Sequence, residues 1–221
     1  VSQHDTLGDV EPDFTEYIIM KFNIEDEIIP IATLRPETLF GVTNLWINPE
    51  IVYKKTKVND ETWIISSECA HKLSFLDKTI EIIDDVKGSE LIGKNVKSPI
   101  SSEEFLILPA SFVSATTGTG IVMSVPAHAP YDYQALEDIK NGNTKDIPES
   151  IRDQVKAINP ITIITTEGFG EVPAEDVIKR MNITNQNDPK LEDETKEIYS
   201  KEYYEGKLNQ NTDKFSGKRV S

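Results

Sequence analysis

The chain has 221 residues, 38% of them hydrophobic, and its 23 Lys and Arg against 38 Asp and Glu give a formal net charge of −15. So acidic a chain argues against extended wrapping of a nucleic-acid backbone, which needs a basic stripe, but leaves contact with one strand end open. The single cysteine, Cys69, excludes an intramolecular disulfide framework and indicates a reducing compartment, so we expect a cytoplasmic protein. No run approaches the roughly 20 apolar residues that cross a bilayer, and we expect no membrane partner.

The first half of the chain is dominated by short segments rich in β-branched and aromatic residues, which predict strands. In chain order these strands are 14–22, 28–31, 62–66, 79–83, 105–108 and 120–125. Turn residues such as Asn48-Pro49 and Lys87-Gly88 separate them. One helix is predicted among them, over 67–73, because Ser67 is a candidate cap before apolar residues at helical spacing.

The second half contains longer helical patterns separated by polar segments. In chain order we predict a helix over 131–140, a loop over 141–153, a strand over 161–165, a helix over 174–181, a loop over 182–193 and an amphipathic surface helix over 192–204. Pro130 and Pro173 each precede a helix, where proline is well tolerated. The two loops are polar and show no periodicity.

Regular alternation of strands and helices is missing from this pattern. That absence favours an α+β fold, mainly β, with a β-barrel core and peripheral helices, over a doubly wound sheet. At this length we expect a single domain over 1–221, with polar insertions around 141–153 and 182–193.

A polar cluster follows the predicted strand 28–31. Thr33 and Thr38 flank Arg35-Pro36-Glu37, and the proline cannot donate a ladder hydrogen bond, so the chain must leave the sheet there. Such a turn directs hydroxyls and a guanidinium into a cavity. An ordinary strand end with the same residues is the alternative interpretation.

A second cluster follows the predicted strand 120–125. Gly118-Thr119-Gly120 allows close approach of a ligand or, equally, a hairpin turn, and Met123 and Val125 fit either a pocket wall or a core. A helix that begins at Pro130 puts Asp132 in its first turn, where free N–H groups favour an ionised carboxylate. An ionised aspartate is well suited to bind a substrate ammonium group.

Two other kinds of site are less well supported by the residues. The spacing of His4 and His71 relative to His128 does not fit a metal site, and there is no cysteine pair, so we expect no metal. A Ser/His/Asp triad stays open, although no Gly-x-Ser-x-Gly turn exposes a serine.

Residues 33–46 and 118–133 together resemble the editing domain inserted in class I aminoacyl-tRNA synthetases, and most closely that of the cytosolic-type leucyl enzymes. The valyl enzymes share the Arg-Pro-Glu-Thr core, so their equivalent domain is an alternative. Weaker resemblance extends over 106–113, 167–170, 185–188 and 203–206. The synthetic-site signatures His-x-Gly-His and Lys-Met-Ser-Lys-Ser are absent, so the chain looks like the excised connective-polypeptide insertion.

The resemblance implies post-transfer editing, in which a positioned water hydrolyses the ester of a mischarged leucine tRNA. The implied partners are the 3′-terminal adenosine of leucine tRNA and noncognate amino acids such as norvaline or isoleucine. It implies no cofactor for editing, since ATP and Mg serve the synthetic domain, and a monomer. It also implies that a benzoxaborole adduct with the terminal adenosine could bind. A non-hydrolytic module that binds a nucleotide or tRNA end is the alternative from another class.

Residue roles follow from the resemblance position by position. Asp132 matches the aspartate that binds the α-ammonium group, and Thr38 matches the threonine that blocks the cognate leucine side chain. Thr33 and Arg35 match wall positions near the ester and its water, completing a predicted catalytic group with Thr38 and Asp132. The predicted substrate-binding residues are Thr33, Leu34, Thr38, Thr119, Met123, Ser124, Val125, His128 and Asp132.

Overall fold

The computed structural model describes residues 16–76 and 78–221. Nine strands of this part form one mixed sheet, in the order β6-β4-β5-β2-β1-β7-β8-β3-β9. They are β1 (Ile18–Ile24), β2 (Glu27–Thr33), β3 (Asn44–Ile47), β4 (Val52–Val58), β5 (Glu61–Ile65), β6 (Ile80–Lys87), β7 (Asn95–Lys97), β8 (Glu104–Pro109) and β9 (Val122–Ser124). A separate antiparallel ribbon pairs β10 (Ile164–Thr165) with β11 (Lys207–Leu208).

The helices lie around this sheet. They are α1 (Ser67–Leu73), α2 (Gly88–Leu91), α3 (Pro130–Lys140), α4 (Arg152–Lys156), α5 (Pro173–Met181) and α6 (Lys190–Glu205), with short 3-10 helices at Pro36–Gly41, Glu149–Ile151 and Gln210–Phe215. Helices α3, α5 and α6 contact one another. In the described residues, no helix is long and apolar enough to cross a membrane.

The sheet curls, because β9 at one end of the strand order comes back to contact β2 in its middle. One face of the curled sheet encloses a core that includes Phe22, Ile29, Leu45 and Ile107, all with no exposed surface. Strand side chains alternate between faces, so Trp46 lies on the opposite face from Leu45 and packs with residues of α3. The predicted α+β, mainly β fold with peripheral helices is confirmed.

The element boundaries differ from the predictions in identifiable ways. Strands β3, β4, β7 and the two-residue β11 were not predicted. β3 has four residues, all buried, and therefore no alternation of polar and apolar positions, while lysines interrupt the apolar pattern of β4. The predicted strand 161–165 shortens to β10, and 120–125 shortens to β9. Of the predicted strand 14–22, residues 14 and 15 lie outside the described part of the chain.

The predicted helices are all present, with small shifts at their starts. Helices α3 and α5 each begin at the proline itself, and α6 begins at Lys190. The expected loops at 141–153 and 182–193 are therefore partly wrong. The first ends in the 3-10 helix Glu149–Ile151 and the start of α4, and Ile151 of the former and Val155 of the latter pack with residues of α3.

Candidate functional site

A cavity of about 340 Å³ lies between the end of β2, strand β9, the start of α3 and the face of α6. It brings together eight of the ten residues that the sequence predicted for the site. These are Thr33, Leu34, Arg35, Thr38, Met123, Val125, His128 and Asp132. The two motifs are about 80 to 100 residues apart in sequence, and contact of the curled sheet with itself makes them neighbours.

Two predicted residues do not line this cavity. Thr119 lines a neighbouring groove instead, and its Oγ1 donates to the Ile121 carbonyl oxygen at 3.3 Å. Ser124 is fully buried, and its hydroxyl finds no hydrogen-bond partner among the described residues. Ser124 is not among the residues that line the cavity, although its chain neighbours Met123 and Val125 are. The structure therefore gives neither residue direct access to this cavity.

Two threonine hydroxyls stabilise the turn after β2 by hydrogen bonds to the Arg35 backbone. Thr33 Oγ1 accepts from the Arg35 backbone N–H at 3.0 Å, and Thr38 Oγ1 donates to the Arg35 carbonyl oxygen at 2.6 Å. Pro36 begins the 3-10 helix Pro36–Gly41, where its missing N–H costs no hydrogen bond. Thr33 accepts through its oxygen and keeps its O–H as a donor. Thr38 has committed its O–H, so it offers the cavity bulk rather than a donor.

Arg35 is the cation of the cavity. Its Nε donates to Glu37 Oε1 at 3.0 Å, its Nη2 donates to Glu202 Oε2 at 2.6 Å, and the guanidinium lies 4.5 Å from the centre of the Tyr199 ring. Burial opposes the charged form, but Glu202, Tyr199 and Glu37 together raise the pKa of Arg35 above its ordinary value. The guanidinium is therefore permanently charged and held from two sides.

His128 is fully buried at the cavity wall, and both of its ring nitrogens are occupied. Its Nε2 lies 2.9 Å from the Ile163 backbone nitrogen, and its Nδ1 lies 2.5 Å from Glu202 Oε1. A backbone N–H can only donate, so Nε2 accepts and Nδ1 carries the proton given to Glu202. Any contact with a substrate is thereby limited to the ring carbons, so the predicted binding role of His128 is narrower than the sequence suggests.

Asp132 is 4% exposed and lies in the first turn of α3. Its Oδ2 accepts from the Val125 backbone N–H at 2.7 Å, and Oδ1 has no hydrogen bond with the described residues. Burial raises the pKa of Asp132 to about 7, against the opposing effects of the Val125 N–H and Trp46. The Trp46 indole N–H makes no hydrogen bond of normal geometry with the described residues, so its effect is weak. The expectation that the helix start keeps this group fully ionised is wrong, because burial outweighs the favourable contacts.

Helix α6 supplies residues that lie outside both sequence motifs and were not predicted. Thr195 and Tyr199 line the cavity, and Thr195 Oγ1 is buried with no hydrogen-bond partner in the described chain. Glu202, one turn further on, is fully buried. The available signal was its spacing, since Glu202 falls on the same stripe as the buried Leu191 and Ile198. An acid on the apolar stripe of a helix needs partners inside the protein.

A larger groove of about 1020 Å³ adjoins the cavity and shares Ala32 and Thr117 with it. Three lysines line it, Lys21, Lys72 and Lys78, together with the acids Asp60 and Glu61. Lys21 is paired with Glu61 at 2.8 Å. Tyr17 and Trp63 add aromatic surface. The chain has a net charge of −15, whereas this groove has one more lysine than acids and so a small positive charge.

Comparison with known proteins gives consistent matches. A family model described as the leucyl-tRNA synthetase editing domain matches residues 16–166. The leucine–tRNA ligase of Methanothrix thermoacetophila is 42% identical over 220 residues, which cover 100% of this chain and 23% of that ligase. The ligase of Pyrococcus abyssi is 47% identical over 216 residues, covering 93% of this chain and 22% of that ligase. The chain thus spans less than a quarter of the length of these relatives.

Solved structures agree with the sequence matches. The crystal structure named GlLeuRS-CP1 is 27% identical, has a TM-score of 0.78 and covers 93% of this chain and 91% of its own. The cytosolic leucyl-tRNA synthetase editing domain of P. knowlesi has a TM-score of 0.80 at 18% identity, with 92% and 89% coverage, and supports the fold alone. Since the family model spans well over half of the residues, this chain belongs to the leucyl-tRNA synthetase editing-domain family.

Proposed function

We propose that this chain carries out post-transfer editing, the hydrolysis of the ester that joins a noncognate amino acid to leucine tRNA. One observation carries the proposal: a single cavity combines the buried Asp132 carboxylate, whose Oδ1 is unpaired among the described residues, with the Arg35 guanidinium and the hydroxyl of Thr33. A carboxylate for an ammonium group and donors for an ester are what an aminoacyl ester requires. Because the leucine–tRNA ligase relatives are about four times as long as the chain, we propose the activity for the full-length protein, with this chain supplying the site.

The α-ammonium group of the substrate would pair with Asp132. An approaching cation lowers the pKa of a carboxylate, so the bound substrate draws Asp132 into its ionised form. Asp132 Oδ2 keeps the Val125 N–H, which leaves Oδ1 for the ammonium. Met123 and Val125 supply apolar wall for the terminal adenosine. This arrangement holds the substrate by both ends of the amino acid ester.

The chemistry needs no covalent nucleophile. Arg35 has five N–H donors, and its bonds to Glu37 and Glu202 use two of them, so three remain for the ester oxygen and the attacking water. Positive charge aimed at the developing oxyanion lowers the barrier, and a fixed water gains from proximity. The Thr33 O–H is a further donor at the same wall. Neither metal nor cofactor is required in this scheme, and ATP and Mg would serve only the synthetic site.

Thr38 would set the size limit of the cavity. A synthetic pocket gains only about 1–3 kcal/mol when it must separate side chains of similar size, so a second site is needed to remove errors. Thr38 is 4% exposed, and its bond to the Arg35 carbonyl oxygen fixes its rotamer. The γ-branched leucine side chain would clash with it. Norvaline or isoleucine would be admitted and hydrolysed.

We also propose that the lysine-bearing groove receives the nucleotides that precede the terminal adenosine. It opens beside the cavity and shares Ala32 and Thr117 with it. Lysines next to aromatic surface are typical of sites that track single-stranded nucleic acid. The remaining phosphates of the tRNA would be held elsewhere in the full-length protein, acting as a cytoplasmic monomer. Because only a few nucleotides would contact this groove, a chain with a net charge of −15 could still bind an RNA substrate.

Deacylation by the full-length protein tests the proposal. The wild type should hydrolyse norvalyl-tRNA and spare leucyl-tRNA, and Asp132→Ala should lower the norvalyl rate ~100-fold, because the substrate loses its ion pair. A benzoxaborole, added as a probe with tRNA, should trap the terminal adenosine and stop hydrolysis. Binding of an adenosine analogue without hydrolysis would favour the non-catalytic binding module instead.

A further inference from the structure

Glu202 lies outside both sequence motifs, yet it contacts two residues of the cavity. Its carboxylate is fully buried near the end of α6. Oε2 accepts from Arg35 Nη2 at 2.6 Å, and Oε1 accepts from His128 Nδ1 at 2.5 Å. A buried carboxylate is costly unless it is fully paired. Glu202 is paired at both oxygens, by one residue from each motif.

Both partners of Glu202 are hydrogen-bond donors, so the side chain at position 202 must offer two acceptors. The Arg35 guanidinium has no acceptor, and the tautomer of His128 fixed by the Ile163 N–H makes Nδ1 a donor. Only a group with two acceptor oxygens satisfies both. A glutamine would place its amide N–H₂ against one of the donors. Glutamate at position 202 thus matches its surroundings in charge as well as in shape.

The backbone around Glu202 is built to hold it in place. The Gly206 N–H donates to the Glu202 carbonyl oxygen at 2.9 Å and ends α6. A Cβ at position 206 would collide with that oxygen, so only glycine permits this reversal of the chain. The chain then enters β11, which pairs with β10, and the residue before β10 is Ile163, the donor to His128. The end of α6 and the His128 wall are therefore tied together.

We infer that Glu202 is a positioning residue for the proposed ester hydrolysis, an inference that rests on the proposed function. It orients the Arg35 guanidinium against the Tyr199 ring, so that the free N–H groups of Arg35 face the cavity. Glu37 holds Nε from the other side but is closer to the surface, with 18% of its side chain exposed. Glu202, with no exposure, supplies the rigid contact.

The test compares Glu202→Gln with Glu205→Gln in the full-length protein. Glu205 is exposed near the end of the same helix and controls for charge and helix effects. Glu202→Gln should lower kcat for norvalyl-tRNA ~10-fold or more while KM changes less than ~3-fold, and Glu205→Gln should leave both within ~2-fold. If Glu202→Gln does not fold, Glu202→Asp keeps the charge but cannot reach both partners, and the same loss is expected.

A double-mutant cycle with Arg35→Gln separates positioning from general destabilisation. If Glu202 acts through Arg35, then Glu202→Gln should add less than ~2-fold to the loss already caused by Arg35→Gln. Losses that multiply would overturn the inference, as would full activity of the Glu202→Gln enzyme. A wild type that does not hydrolyse norvalyl-tRNA would instead contradict the proposed function. The two failures are thereby distinguishable.

Discussion

The Asp132 carboxyl group is buried in the cavity wall with few hydrogen-bond partners. Among the described residues it has a single hydrogen bond, from the Val125 N–H, and burial raises its pKa to about 7. Near neutral pH the Asp132 carboxyl group is therefore a mixture of its neutral and ionised forms. A bound ammonium would favour the ionised form, so substrate binding would release protons below about pH 7. The residue that we propose to bind the substrate ammonium is thus one that burial makes costly to ionise.

The dependence of stability on pH should reveal this cost. Unfolded Asp has a pKa of about 3.9, so the folded state binds the proton more tightly. That contribution is fully present below about pH 4 and is lost as pH rises to about 7, at most about 4 kcal/mol. Asp132→Asn does not titrate, so the stability of the variant should rise relative to wild type over this range. Urea unfolding of the 221-residue chain across this range measures it.

The control for this measurement is Asp193→Asn. The Asp193 side chain is 89% exposed, so its replacement should reproduce the pH dependence of the wild-type chain. A constant difference in stability between wild type and Asp132→Asn across this range would contradict the environment described for Asp132.

Thr38 allows bulk and hydrogen bonding to be separated at one position. Thr38→Ala removes the side chain that we propose to block leucine, so we expect leucyl-tRNA hydrolysis to rise about 10–200-fold, the range that one small apolar contact supplies. Thr38→Val keeps the bulk but loses the bond to the Arg35 carbonyl oxygen, and it should still reject leucine. Deacylation of leucyl-tRNA by the full-length variants measures both. Equal leucyl rates for the two variants would contradict the steric explanation.

At the scale of elements, the sequence predicted the parts of the cavity wall whose residues have a recognisable local pattern. Proline and threonine marked the end of β2, and the β-branched run marked β9, so eight of the ten predicted site residues line the cavity. Helix α6 was predicted as an amphipathic surface helix with Thr195 among its less polar positions, but the buried role of Glu202 was not predicted. Burial of the stripe that carries Glu202 is decided by contact with α3 and α5, which no local pattern records. The same limit applies to Ser124, because motif membership does not show which residues of a strand reach a cavity.

Thr195 tests the contribution of α6 to the cavity. Its Oγ1 is buried without a partner in the described chain, a condition that costs about 1–3 kcal/mol. Thr195→Val removes the hydroxyl at constant shape, so it should raise the free energy of unfolding by about 1 kcal/mol.

If the substrate supplies the missing partner of the Thr195 hydroxyl, the same variant should lower kcat/KM for norvalyl-tRNA several-fold. Thr195→Ser keeps the hydroxyl and is the control. A variant that is more stable and fully active would assign the hydroxyl no part in binding.

At the scale of the whole molecule, charge is distributed unevenly. The chain carries a net charge of −15, while the groove beside the cavity has three lysines and two acids. Lys21 is neutralised by Glu61, and Lys72 and Lys78 are exposed at the groove. A net charge of −15 repels a phosphate backbone overall, and the lysines of this groove offset that repulsion locally. This local charge would favour entry of a single strand beside the cavity.

Replacing the two exposed lysines should weaken tRNA binding in a salt-dependent way. In the full-length protein, the double variant Lys72→Gln, Lys78→Gln should raise KM for norvalyl-tRNA. The slope of the logarithm of the binding constant against the logarithm of the salt concentration should become shallower, by about 0.7 for each phosphate that the variant no longer neutralises. The control pair, Lys94→Gln with Lys97→Gln, makes the same change in net charge at exposed positions that line neither cavity. Hydrolysis of a small aminoacyl-adenosine ester, which does not reach the groove, should be unaffected by either pair. Equal effects of the two pairs on KM would show that only overall charge matters and would contradict a path for the strand through this groove.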